Sequence, residues 1–150
     1  MSERIASPAK AGWWTPMLHV KSIERSIPFY ERLGFELIDT DRCEPIGWAR
    51  LHCEGGAVML LRAEAPVVPF EPGAVPVLFV LYTPALAALR EQLLAAGVAV
   101  SEIRRPEYMP SGTMHLSDPD GFSLEICHWG DEEHTAWLER IGRRPSMPSS

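Results

Sequence analysis

The sequence predicts an α+β chain. Two tandem βαβββ modules form a curved mixed sheet with a central cleft, and a short C-terminal helix follows. Three observations carry that expectation. Segments of strand and helix periodicity recur in one order, strand, helix and then three strands, in each half of the chain. The glycines that close the two helices, Gly34 and Gly97, fall 63 positions apart (34 to 97), and an apolar strand follows each. Finally, one such unit cannot bury both faces of its own sheet, whereas two side by side leave helices on one face and a cleft on the other.

The elements follow in order. Residues 1–11 read as a flexible leader, 12–64 as the first module, 65–74 as a linker, 75–129 as the second module, 130–142 as the C-terminal helix and 143–150 as a flexible tail. "WWTPMLHV" is a strand ending near Val20. Ser22 is the N-cap of the first helix, and Glu24 in its first turn faces the positive helix end. Ile23, Ile27, Tyr30 and Leu33 recur at helical spacing, while Pro28 removes one backbone bond and predicts a local kink. "FELIDTD", "GWARLHC" and "AVMLLRA" are strands, the last two joined by a hairpin at "EGG". "VPVLFVLYT" opens the second module. Pro84 starts its helix, with Leu86, Leu89 and Leu93 as the apolar stripe. "VAVSEIRR", "GTMHLSD" and "GFSLEICHW" complete the repeat, the last two around an Asp118-Pro119-Asp120-Gly121 turn whose acids serve to shape it. "DEEHTAWLERIG" is a helix with acids in its first turn and Ala136, Trp137, Leu138 and Ile141 to dock on the sheet edge, the helix layer or a second subunit.

Composition bounds the partners. The chain has 150 residues, of which 46% are apolar, enough for a real core. A formal net charge of −6 argues against nucleic acid and leaves room for a cationic or zwitterionic ligand. There is no apolar run of membrane-spanning length, and Met1–Lys10 lacks the apolar core of a signal peptide. Three cysteines, Cys43, Cys53 and Cys127, with no C-x-x-C fit neither a disulfide scaffold nor a zinc knuckle, so a cytoplasmic protein is expected.

"HLSDPDGFSLEICHW", residues 115–129, holds a carboxylate, Glu125, between apolar strand neighbours. A buried acid needs a partner. Glu125 therefore either belongs to a ligand site or is tied structurally to Tyr82, Ser123 or a backbone amide. "MLHVKSIERSIPFYERLGFEL", "LREQLLAAGVAV" and "LSDPDGFSLEI", in this order and spacing, resemble the vicinal oxygen chelate superfamily, which includes glyoxalase I, extradiol dioxygenases, and fosfomycin- and bleomycin-resistance proteins. The resemblance covers roughly Trp14 to Trp129 and is nearest to the bleomycin-resistance-like branch.

In metal-using members of that superfamily, four inward strand positions, usually His or Gln, Glu, His and Glu, ring one divalent ion. Carried over by motif, the resemblance places Thr15, Met59, Leu78 and Glu125 there, so only Glu125 keeps the family's residue type. It implies a homodimeric protein that binds a small organic molecule in the inter-module cleft, with no metal or other cofactor expected. Glu125 would offer a charge, Trp48 a stacking face, and His19 and His115 polar contacts. Thr15, Met17 and His19 alternate onto one strand face, so His19, His115 and Glu125 also define an atypical ligand set for Mn, Fe, Ni or Zn. On that alternative the chain is a metal-dependent glyoxalase-like lyase or isomerase, or a dioxygenase. A third reading fills the cleft with side chains and leaves an interaction module.

The remaining candidates have structural readings beside functional ones. Trp13, Trp14 and Trp48 are core, interface or cleft aromatics. Phe29 and Tyr30 belong to the core, His52, His128 and His134 to the surface or rim, and Cys127 is a small buried hydrophobe. Arg50 and Arg62 alternate with apolar residues on strands. An inward one would pair with Glu125 or an anionic substrate, and outward ones are solvated. The proline-rich linker permits pairing of the modules within or between chains, and could fold as a lid.

Overall fold

The computed structural model describes residues 9, 11, 14–64 and 77–142. The leader, the linker with its lid, the tail and Trp13 fall wholly or largely outside them. The chain divides into two compact units, Met1–Pro66 and Val67–Ser150. No helix among the described residues is long and apolar enough to cross a membrane.

The first unit runs β1 (Met17–Val20), α1 (Ile23–Arg32), β2 (Glu36–Thr40), β3 (Trp48–Cys53) and β4 (Gly56–Arg62). Its sheet has the order β1-β4-β3-β2, with β1 parallel to β4 and the other pairs antiparallel. Alternation along the strands sends Leu18, Val20, Ala49, Leu51, Val58 and Leu60 to the side where α1 packs with Ile23, Ile27, Phe29 and Tyr30, and all of these are buried. Helix α1 starts as its sequence demands. The Ser22 hydroxyl accepts from the Arg25 N–H at 3.3 Å, and Glu24 caps in addition a distant loop, accepting the Ile46 N–H at 2.7 Å. The helix runs unbroken through Pro28, whose ring lies on the exposed side. Gly34 ends it at a φ of 96°, a left-handed conformation that glycine adopts without strain.

The second unit runs β5 (Leu78–Thr83), α2 (Leu86–Ala95), β6 (Thr113–Ser117), β7 (Ser123–His128) and α3 (Asp131–Ile141). The sheet order is β5-β7-β6, with β7 parallel to β5 and antiparallel to β6. Leu86 and Leu93 of α2 are buried, as are Met114, Leu116, Leu124 and Ile126 on the sheet. The predicted turn forms, and the Asp118 carboxylate accepts the N–H groups of Asp120 and Phe122 at 2.9 and 2.8 Å.

Two expectations are corrected. The segment "VAVSEIRR" is not a strand and contributes only an isolated bridge, Arg104 to Thr113. The Ser101 N–H donates to the His115 carbonyl at 2.9 Å, but the return bond of a ladder is not made. The Ser101 carbonyl accepts the Arg90 Nε–H from α2 at 2.9 Å, and its hydroxyl takes the His115 N–H at 2.8 Å. The C-terminal helix forms, but within the chain Leu138 and Ile141 dock on neither the sheet edge nor the helix layer, and none of its residues is buried. Trp137 holds α3 by its ring, edge-on to Trp129, which in turn stacks edge-on to Tyr82.

Candidate functional site

Glu125 is buried because β7 is the middle strand of its sheet, with Leu124, Ile126 and Cys127 buried around it. Its carboxylate is held by one oxygen. Thr113 on β6 donates its hydroxyl to Oε1 at 2.8 Å, Tyr108 from the preceding loop donates to the same atom at 3.1 Å, and His115 Nε2 lies 3.7 Å away. No described residue donates to Oε2. Among the described residues no buried side-chain oxygen or nitrogen lacks a partner, so Oε2 is not sealed in. The expected structural partners, Tyr82 and Ser123, are thus replaced by Tyr108 and Thr113, which the sequence did not single out. Thr113 stands two residues before His115 on the same strand face, a signal alternation could have given. Tyr108 lies in a loop, where no periodicity points.

The electrostatics follow from this arrangement. The hydrogen bond to Glu125 pushes the Tyr108 hydroxyl above the ordinary tyrosine range, and desolvation and the nearby negative charge add to it. Burial pushes the Cys127 thiol up despite a hydrogen bond with Thr113 that lowers it. The shift favours the thiol of Cys127 over the more reactive thiolate.

On β5, the strand beside the acid, the same face is apolar and exposed. Val80 is the register partner of Glu125 on β5, and Leu78 and Tyr82 flank it on the same face. All three are exposed, Tyr82 by 60%, and Tyr108 is exposed by 68%. Leu78 therefore lies on the Glu125 face, while His115, the direct cross-strand neighbour of Glu125, keeps an exposed side chain.

In the first unit, burial of Leu18 and Val20 leaves Thr15, Met17 and His19 on the open face opposite α1. Met59 is the register partner of Met17 and shares that face. Trp48, Arg50 and His52 alternate with buried Ala49 and Leu51, so the half-buried Trp48 ring also lies on the open face. Arg50 donates Nε–H to His52 Nε2 at 2.9 Å and Nη2–H to Thr15 Oγ1 at 3.4 Å. The Ile46 N–H holds the Glu24 carboxyl below the usual range, and Arg62, exposed at the end of β4, adds a minor push in the same direction.

The divalent ion implied by the resemblance needs several hard donors converging on one point. Of the four inherited positions, Thr15 offers a hydroxyl, Met59 and Leu78 offer nothing a hard cation binds, and Glu125 alone offers a carboxylate. The alternative set is divided, with His19 in the first unit and His115 and Glu125 in the second. Among the described residues no three His, Cys, Asp or Glu side chains gather as a metal would require. The donor set does not fit such an ion.

Comparison with known proteins agrees with the fold. An integron cassette protein from the mobile metagenome of the Halifax Harbour sewage outfall is similar at 26% identity, over 79% of this chain and 98% of that one, with a TM-score of 0.63. A bleomycin-binding protein solved with bleomycin is 22% identical over 80% of this chain and 100% of that one, with a TM-score of 0.60. TnmS3, an antibiotic-binding protein from Streptomyces sp. CB03234, is 20% identical over 83% of this chain and 100% of that one, with a TM-score of 0.61. No curated protein matches the chain. The profile of the Glyoxalase/Bleomycin resistance protein/Dioxygenase superfamily matches residues 15–126, and the chain belongs to that superfamily.

Proposed function

We propose that this member of the superfamily is a small-molecule-binding protein that works without a metal and takes a ligand with an apolar body and a cationic or N–H-donating head. One observation carries the reading. The buried Glu125 carboxylate is fixed through Oε1, keeps Oε2 open, and is surrounded by the exposed side chains of Leu78, Val80, Tyr82 and Tyr108. A carboxylate held by two neutral donors remains an acceptor, and an ion pair formed in a half-dry site is worth more than one in water. The exposed apolar groups gain by covering a hydrocarbon or aromatic body. His115 contributes an adjustable polar contact beside the acid.

The bleomycin-binding and antibiotic-binding neighbours support a sequestering role. Their ligands are not transferred to this chain. The scarcity of hard donors supports binding over metal-dependent lyase, isomerase or dioxygenase chemistry. A cytoplasmic homodimer completes the proposal, supported by the exposed Trp137, Leu138 and Ile141 of α3, and sedimentation velocity checks it.

Calorimetric titration with benzylammonium tests the site. Saturable binding to the wild type, weakened about tenfold or more by Glu125→Gln, is expected, because a charge-assisted hydrogen bond contributes roughly 1.5–3 kcal/mol. Equal affinity in the two proteins would refute the assignment.

A further inference from the structure

The open face of the first sheet carries the guanidinium of Arg50, which makes no direct ion pair with a carboxylate among the described residues. Arg50 extends from β3 across β4, where Ala57 and Met59 line the same face, to reach Thr15 beside β1. Its two partners, His52 Nε2 and Thr15 Oγ1, are neutral acceptors. No carboxylate among the described residues comes within ion-pair distance of the guanidinium. Asp39 is the cross-strand partner of Arg50 on β2, but its carboxylate accepts the Thr40 N–H at 2.8 Å, and Arg50 points the other way, toward β1. A guanidinium has five N–H donors, and two are used here, leaving three for a ligand.

A half-buried cation held by two uncharged acceptors has given up part of its hydration without a directly paired carboxylate, Asp39 on β2 being a neighbour but no ion-pair partner. From this we infer that Arg50, positioned by His52 and Thr15, receives an organic anion, a carboxylate carried on an aromatic body. The planar fork matches a carboxylate, and Trp48, two residues along the same strand face, supplies a flat surface for the body. Thr15 and Met59 are two of the positions that the resemblance assigns to metal ligands, so a fixed guanidinium stands on the face where relatives hold a metal cation. This inference rests on the reading of the chain as a binder, but on none of the residues around Glu125.

Benzoate is the probe, titrated calorimetrically into the full chain at low ionic strength, with inorganic phosphate in parallel. Benzoate is expected to saturate the wild type. Arg50→Gln is expected to weaken it at least about tenfold, the loss of a charge-assisted hydrogen-bond pair. Arg50→Lys, which keeps the charge and loses the fork, should fall between and keeps the test decisive if the glutamine variant does not fold. Arg32→Gln removes the same charge from the exposed end of α1 and should leave binding unchanged. Unchanged benzoate affinity in Arg50→Gln, or equal weakening by Arg32→Gln, would overturn the inference. Phosphate binding as tight as benzoate would overturn the aromatic part of it. If benzylammonium fails to bind while benzoate binds through Arg50, the Glu125 assignment falls and this one stands.

Discussion

Replacing Thr113 with valine keeps the β-branched shape and removes the shorter of the two hydrogen bonds that hold Glu125. The carboxylate oxygen is buried, so the loss is not repaired by water, and a cost of about 1–3 kcal/mol is expected in urea unfolding, with an unchanged m-value. Tyr108 makes a longer bond from an exposed loop and should cost less as phenylalanine. Its titration is informative instead. The hydroxyl donates to Glu125 only while protonated, so its ionisation is held above the ordinary tyrosine value of 10.0. The folded state then binds more protons than the unfolded one above that value. This contribution is fully present below the ordinary tyrosine range and is lost as pH rises through the raised value. Absorbance of tyrosinate should include a late-titrating component that Glu125→Gln shifts back toward the ordinary range. At this scale the sequence made the acid legible, because a carboxylate between apolar strand neighbours demands a partner. It did not disclose the partner, because Tyr108 reaches Glu125 through loop geometry that no spacing encodes.

The helices and hairpins obey local rules, and there the reading from sequence holds well. Ser22 caps α1, Gly34 and Gly97 close their helices at positive φ, and the Glu54-Gly55 turn joins β3 to β4. Ser22→Ala should therefore cost about 1 kcal/mol, as N-caps usually do, measured by thermal or urea unfolding. The failed element is instructive in the same terms. Residues 98–105 have strand-like composition and bond β6 at Ser101 and Arg104, yet the Ser101 carbonyl accepts from Arg90 instead, a contact between segments eleven residues apart. Composition cannot anticipate it. Helix α3 shows the same limit. Its start is local, with Glu133 accepting the Gly130 N–H at 3.0 Å. The Ser111 hydrogen bond first, and the backbone N–H groups and His128 after it, hold the Glu133 carboxyl below the usual range. Such stabilisation is present above the ordinary carboxylate range and fades as pH falls through the lowered value. Acidification to below the ordinary carboxylate range should thus loosen α3, read as a change in emission from the Trp129–Trp137 pair.

At the scale of the whole chain, the architecture and the proposed ligand chemistry rest on different residues. The order of elements survives because each unit buries its own apolar face, and that pattern is written residue by residue in alternation and helical spacing. A metal site has no such redundancy, since affinity requires several donors at once and falls steeply as each is lost. In the first unit His52 Nε2 already accepts from Arg50, and the guanidinium beside it repels a divalent cation. In the second, Glu125 spends Oε1 on Thr113 and Tyr108, with a single histidine near it. Protein produced in medium supplemented with Mn, Fe, Ni or Zn should therefore retain well under one ion per chain after desalting, by elemental analysis. A chelator should leave its unfolding midpoint in place, because an ion that binds the folded state tightly would raise that midpoint and its removal would lower it. One equivalent of metal that Glu125→Gln releases would reverse the reading of the acid, turning it from the acceptor of a ligand's charge into the survivor of a coordination shell completed by other groups.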